Sequence, residues 1–426
     1  MSEHPIRLVV SDDLERSRPT VFFRVLLAIP HYIWLAVWSV GAFFAVIASW
    51  FATLAARRTP APLHRFLAAY VKYVTQLYAY VNLAANPYPA FDGQDGYPVD
   101  LAIAPPERQS RLRVALRALL ALPALLIAGA LGVLPALSGF GQGKGRISVF
   151  GNGVGLLAVV AFLSWFAILA RGRMPRGLRD AAAYALSYGA QFWAYVLLLT
   201  DRYPDSDPQT ALPELPRRHD PVAFELDDDR RRSRLTVFFR LPLAIPHLVW
   251  LALWSVLVAF AVIASWFATL ATGRTPAALH RFIAAFVRYQ VHVYGFLYLI
   301  ANPFPGFVGR AGSYPLEAVI DGPARQSRWK TLFRVILVIP AALLASVYGT
   351  LGGLAAVLGW FASLATGRMP LGLRNAGALA MRYSTQTTGY VLLLSDSYPY
   401  SGPCENEPAH AEQVALPAAS PFATGD

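Results

Sequence analysis

Two kinds of segment alternate along this chain: long apolar runs without charge, and shorter stretches in which polar residues recur at helix or strand spacing. Residues 25–56 form a run of 32 positions with no Asp, Glu, Lys or Arg. As one helix it would be about 48 Å long, against a bilayer hydrocarbon core of about 30 Å. Over residues 63–76 the pattern changes. At 100° per residue Arg65, Lys72 and Gln76 share one helix face, and Arg281, Arg288 and His292 repeat that stripe later in the chain. At 99–103, Val99, Leu101 and Ile103 alternate with Asp100 and Ala102, as do residues 314–320; period two with Val and Ile predicts strands. Ser17-Arg18, Ser110-Arg111, Ser233-Arg234 and Ser327-Arg328 stand before the apolar runs. Serine there predicts an N-cap, and Pro19 suits a first helical turn.

These parts recur in a fixed order. Ala28-Ile29-Pro30-His31 returns as Ala244-Ile245-Pro246-His247, Ser49-Trp50-Phe51-Ala52 as Ser265-Trp266-Phe267-Ala268, and Asn86-Pro87 as Asn302-Pro303, all at an offset of 216. Each half divides again. Trp266-Phe267 matches Trp360-Phe361 at an offset of 94, and Pro30 matches Pro123 at 93. Such self-similarity marks a repeat architecture. Four repeats result: 1–96, 97–204, 220–305 and 306–400. The second carries a polar, glycine-rich insertion of 22 residues near 134–155. Residues 205–219 read as a linker, and 401–426 as a disordered tail.

Three arrangements of each repeat are open. In the first, the apolar run is a hairpin with a turn near Val40-Gly41, Arg24 snorkels to the surface, and the third helix lies flat as an amphipathic helix. The insertion favours it, because polar backbone at mid-bilayer would lack partners. In the second, one long tilted span is followed by a spanning third helix; in the third, every repeat makes three spans. Charge favours the hairpin, since it puts every Lys and Arg except Lys144 and Arg146 on one side, as a positive-inside bias requires. The expected fold is mainly α: a polytopic membrane protein of four repeats, each a short strand, an apolar helical hairpin and an amphipathic helix. A small β layer and both termini would then be cytoplasmic.

Composition agrees. Of 426 residues 56% are apolar and 15% charged, whereas soluble domains carry about 25% charge. The net charge of +12 raises nucleic acid as a partner. The arginines cluster at the ends of apolar runs, however, which points to topology and anionic headgroups instead. The single cysteine, Cys404, excludes a disulfide framework. No cleavable signal peptide is expected, because the first apolar run far exceeds a signal's short apolar core.

Ala-Ile-Pro-His, Trp-Phe-Ala-x-Leu, Gly-Arg-x-Pro-x-x-Leu and the closing Leu-Leu-Leu-x-Asp-x-Tyr-Pro resemble the bacterial domain-of-unknown-function 4389 family, over most of residues 5–399. Repeats two and four depart from it, with Pro123-Ala124 and Pro340-Ala341 in place of Pro-His. The resemblance implies a multi-pass protein of the bacterial inner membrane, without an assigned activity or catalytic residues.

His31 and His247 are the candidate intramembrane functional residues. They occupy equivalent places inside uncharged runs, where an ionisable group is a functional candidate. A neutral imidazole bonded to a carbonyl freed by the adjacent proline is the structural alternative. Arg65, Lys72, Arg281, Arg288 and Arg382 are the candidate headgroup contacts. The recurrent prolines are expected to kink helices, and Trp50, Trp165, Trp266 and Trp360 to anchor at the interface or pack between helices. No Gly-x-Ser-x-Gly, His-Glu-x-x-His or P-loop occurs; the glycine-rich stretch 139–146 reads as a loop, and Asp227-Asp228-Asp229 as a solvated charge run. No cofactor, metal or nucleic acid is implied. The expected function is a non-enzymatic membrane scaffold or interaction protein touching anionic lipid, with room for a protein partner on its cytoplasmic face. The alternative is a transporter or channel between the halves. Oligomeric state is left open.

Overall fold

The computed structural model describes residues 4–134 and 155–406. Repeat one begins with β1 (Ile6–Val10), whose residues are alternately buried and exposed. After two short helical turns, Arg18–Phe22 and Arg24–Leu27, come α1 (Ile29–Ala56) and α2 (Ala61–Val81). Repeat two supplies β2 (Val99–Ile103), α3 (Leu122–Leu131), α4 (Leu156–Arg171) and α5 (Arg176–Val196). After β3 (Arg217–Arg218), repeat three gives β4 (Val222–Leu226), α6 (Arg240–Thr272) and α7 (Ala277–Leu297). Repeat four gives β5 (Leu316–Ile320), α8 (Ile339–Thr366) and α9 (Leu371–Val391), and β6 (Glu405–Asn406) closes the described chain. Among the described residues three helices, counted as 24–56, 240–272 and 334–366, are long and apolar enough to cross a membrane.

The hairpin expectation is corrected. Val40 and Gly41 lie inside the unbroken helix α1. Gly41 is a contact residue rather than a turn, since a Cβ there would come within 3.2 Å of the Phe66 ring. Pro30 removes one N–H, yet the ladder resumes at once with Tyr32 N–H donating to Ala28 O at 3.0 Å. In repeat three the equivalent Pro246 sits within a continuous 33-residue helix. In repeat two, α3 and α4 replace the single helix. Gly132 and Gly155 stand so close that a Cβ on Gly155 would meet Gly132 Cα at 2.3 Å. The insertion therefore leaves and returns at one point; most of it, including the glycine-rich 139–146, lies outside the described residues.

Repeats pair in twos by reciprocal exchange. β1 and β2 are antiparallel with Leu8 opposite Leu101, and β4 and β5 with Phe224 opposite Ala318. The bridge Glu15–Arg173 is answered by Arg58–Arg108, and Arg231–Arg368 by Arg274–Arg325. Arg18 donates to Ala170 O at 3.2 Å while Arg111 donates to Ala55 O at 2.7 Å, so each repeat closes the C-terminus of its neighbour's long helix. Trp50 likewise donates to Val114 O at 3.1 Å, and Trp165 stacks on Phe22. The tryptophans thus fasten repeat to repeat. Instead of one β layer there are separate two-stranded sheets, the third being the parallel pair β3–β6.

The helices succeed one another in contact as α1, α2, α5, the α3/α4 pair, α8, α9, α7 and α6, with β1 on α5, β2 on α2, β4 on α9 and β5 on α7. The second helix of each repeat is the buried one: α5 has most of its residues covered. Long helices bury only a stripe. In α1 it runs through His31, Ala42, Ala45, Ser49 and Thr53, while Ile33, Val37, Val40, Phe44, Ile47 and Phe51 stay exposed. The expected linker is structured. Asp207 caps the turn Pro208–Thr210 by accepting from Gln209 N at 2.9 Å, and it also accepts from Asn375 at 2.8 Å, tying the halves together. Residues 401–406 of the expected tail are placed against the fold, and the rest of the tail lies outside the described residues. The serine N-caps form by side chain only at Ser327, which accepts from Lys330 N; Ser17, Ser110 and Ser233 make no such bond.

Candidate functional site

The two histidines sit in matching aromatic boxes. His31 is fully buried, its Nδ1 2.8 Å from the Tyr73 hydroxyl. Its ring stacks on Phe91 with centroids 4.3 Å apart, and Tyr88 lies at 4.4 Å. His247 repeats this with Tyr289 at 2.7 Å, Phe307 at 4.3 Å and Phe304 at 4.6 Å. Trp34 and Trp250 donate to Phe91 O and Phe307 O, holding the covering loops down. The partner of each Nδ1 is a tyrosine hydroxyl, not the carbonyl freed by proline. Among the described residues neither Nε2 has a hydrogen-bond partner. The structure does not bring the two histidines together; each belongs to its own half.

Sequence reasoning missed a fourfold set of buried arginines. Arg24, Arg117, Arg240 and Arg334 are each nearly inaccessible and stand six residues before the recurrent proline, a spacing legible in the sequence. Each guanidinium lies 4.3–4.4 Å from a ring centroid: Tyr80, Tyr195, Phe296 and Tyr390. Each also donates to a carbonyl in the last turn of a second helix and to one in the loop after it. Arg24 takes Tyr80 O and Ala85 O, both at 2.9 Å. Arg117 takes Tyr195 O at 2.6 Å and Thr200 O at 2.7 Å. The snorkelling expected of Arg24 is therefore corrected: its head turns inward because the helix end there presents carbonyl oxygens with room for a further donor, and a ring face. The adjoining Leu83, Leu198, Leu299 and Leu393 have φ of 65°, 64°, 62° and 62°. Their carbonyls accept from Arg16, Gln109, Arg232 and Gln326. Asp228, within the run read as solvated, is instead buried against Arg232 at 2.7 Å.

The candidate headgroup residues separate into two groups. Arg65 and Arg281 are exposed. Lys72 pairs with Asp95, and with Asp100 at 3.3 Å. Arg288 lies 3.7 Å from Glu317 and donates to Ala318 O. Arg382 is buried, bonding Gly402 O and the Cys404 sulfur. Beyond Arg65 and Arg281, the polar stripe of the second helix therefore faces the loop that follows it and the strand of the paired repeat. Gln76 extends it to Asp100, His292 to Glu317 and Gln386 to Asp220. Burial pushes the Cys404 thiol upward and, against the hydrogen bonds from Gln209 and Asn375, pushes Asp207 upward as well.

A cleft of ≈ 920 Å³ separates α4 from α8, with Phe162, Phe166, Ile336 and Leu343 on its walls and Arg171, Lys330 and Asp396 also lining it. Among the described residues no group of three His, Cys, Asp or Glu side chains is placed to hold a metal ion.

The family described as a domain of unknown function (DUF4389) matches residues 18–92, 149–206, 234–308 and 328–401. No curated protein and no solved structure gives a significant match. Each matched stretch holds an apolar run and the turn and second helix that follow it, as the pairing of repeats requires, and the chain belongs to the DUF4389 family, with four copies of its domain in tandem.

Proposed function

We propose that this protein is a non-catalytic membrane scaffold of the bacterial inner membrane, with its termini and strands on the cytoplasmic side. The apolar faces of the long helices hold lipid, and the strand and loop side offers a platform to a protein partner. The observation that carries this reading is the sealing of the two histidines inside the long helices: His31 and His247 are 0% exposed and enclosed by rings. An ion or substrate path needs polar groups open to water. Exposed Arg65 and Arg281, with the arginines at the helix ends, supply cationic contacts for anionic headgroups. The reading is tested by reconstitution. The protein is expected to leave proteoliposomes proton-tight, and to bind phosphatidylglycerol vesicles more strongly than phosphatidylcholine vesicles. The Arg65→Ala, Arg281→Ala double variant should lose that preference several-fold. Proton leak abolished by His31→Ala would overturn it.

The alternative, a transporter or channel between the halves, draws on the ≈ 920 Å³ cleft. Its walls are largely apolar, and neither histidine lines it, which suits acyl chains better than a hydrophilic solute.

A further inference from the structure

The level at which polar chain crosses the long helices decides how they meet a bilayer. Helix 24–56 has 33 residues, about 50 Å. Crossing a core of about 30 Å would need a tilt of about 50°, beyond the 0–40° range of spanning helices. No shorter stretch is marked off, because exposed apolar side chains continue from Phe22 to Phe51.

Polar loops lie beside the middle of the helices, not beyond their ends. Gly93 rests on Ala69 and Tyr73, where a Cβ would come within 2.8 Å of Ala69 O, halfway along α2 (61–81). Next to it the Asp95 side chain is 91% exposed. The same loop accepts from Trp34 through Phe91 O at 2.7 Å, and Trp34 is about 15 Å along the helix from Arg24. In an upright helix with Arg24 at the boundary, that is the midplane, where an exposed carboxylate is costly even when paired with Lys72. Repeat three does the same: Gly309 rests on Ala285 and Tyr289, and Arg310 beside it is exposed.

Basic residues stand at both ends of the long helices. Arg173 is bridged to Glu15, near the start of the first repeat's helices, and Arg58 is bridged to Arg108 at the far end. Upright helices would divide these charges between the two sides, against the usual bias. Helices lying flat would keep them at one headgroup level.

We propose that the four repeats lie in the plane of one leaflet. The long helices are immersed lengthwise in the acyl layer, the arginines at both ends meet headgroups on one side, and the strands and loops face water on that same side. This rests on the membrane reading above and replaces crossing with one-sided embedding. The test uses the full chain with Cys404→Ser and single cysteines at Arg58→Cys, Arg173→Cys or Asp95→Cys, in sealed inverted and right-side-out vesicles treated with an impermeant maleimide. All three positions should react in one vesicle orientation only. Labelling of Arg58→Cys and Arg173→Cys from opposite sides, with retention after an alkaline carbonate wash, overturns this proposal alone. Release by carbonate overturns the membrane reading together with it. Polarised infrared dichroism of the unmodified protein in oriented bilayers needs no variant: helix axes in the membrane plane are expected, and axes along the normal would refute the embedding.

Discussion

The Arg24 guanidinium lies 4.3 Å from the centre of the Tyr80 ring and donates to the carbonyl of the same tyrosine at 2.9 Å. One side chain thus closes the end of α2 and covers its last aromatic ring. Because Arg24 sits on the turn before α1, this contact fixes where the second helix ends relative to the first. Arg24→Ala would leave Ala85 O buried without a donor and Tyr80 O with only the Leu83 N–H, a loss of about 2–3 kcal/mol. Arg24→Lys keeps the charge but not the planar fork and should recover only part of it. Thermal unfolding in detergent measures both, and an unchanged midpoint for Arg24→Ala would show that the contact is dispensable.

His31 and Tyr73 form a buried pair whose removal should be non-additive. His31→Ala and Tyr73→Phe each break the same 2.8 Å contact. The double variant is expected to be about 1 kcal/mol less destabilised than the sum of the two singles. Strict additivity in the cycle would mean that the hydroxyl does not stabilise the imidazole.

Two glycines in one loop make a controlled comparison. A Cβ at Gly309 would stand 2.1 Å from Ala285 O, a backbone atom, whereas one at Gly306 meets nothing within 4 Å. Gly309→Ala should destabilise by about 1–3 kcal/mol and Gly306→Ala by much less. Equal effects, read from urea midpoints, would mean that the loop does not rest on α7.

Acid should weaken the strand end of repeat one. His4 is buried beside β1, its Nδ1 3.0 Å from Ile6 O and 3.2 Å from Ile6 N. Burial holds its pKa below the ordinary 6.5. The unfolded chain therefore binds the proton first, so this stabilisation is complete above the ordinary value and lost as pH falls below it. His4→Asn keeps an acceptor and removes the titration. Its melting temperature should fall less than that of the unmodified protein between about pH 7.5 and about pH 5; parallel curves would exclude His4 as the titrating group.

Local spacing made several features legible. Val99, Leu101 and Ile103 announce β2 through period two, and the pairing of 314–320 with an equivalent strand follows from the repeat. The positions of Pro30 and Pro246 locate the two histidines because the halves keep one offset. Other features needed partners far away in sequence. The stripe of Arg65, Lys72 and Gln76 looks like a headgroup face until Asp95 and Asp100 fold over two of the three. Arg24 looks like a snorkelling residue until the end of α2 arrives 56 residues later. Gly41 looks like a turn, but its missing Cβ serves the Phe66 ring.

The sequence by itself determined that this is a fourfold repeat of apolar runs, short strands and polar second helices, because each of those rests on spacing within a few residues or on a constant offset. Only the tertiary structure decided that the apolar runs of repeats one, three and four are unbroken helices, that most of the polar stripe turns inward to strands and loops, and that Arg24, Arg117, Arg240 and Arg334 each close the end of their repeat's second helix. Those outcomes depend on which unpaired carbonyl or carboxylate meets each side chain once distant segments are packed together.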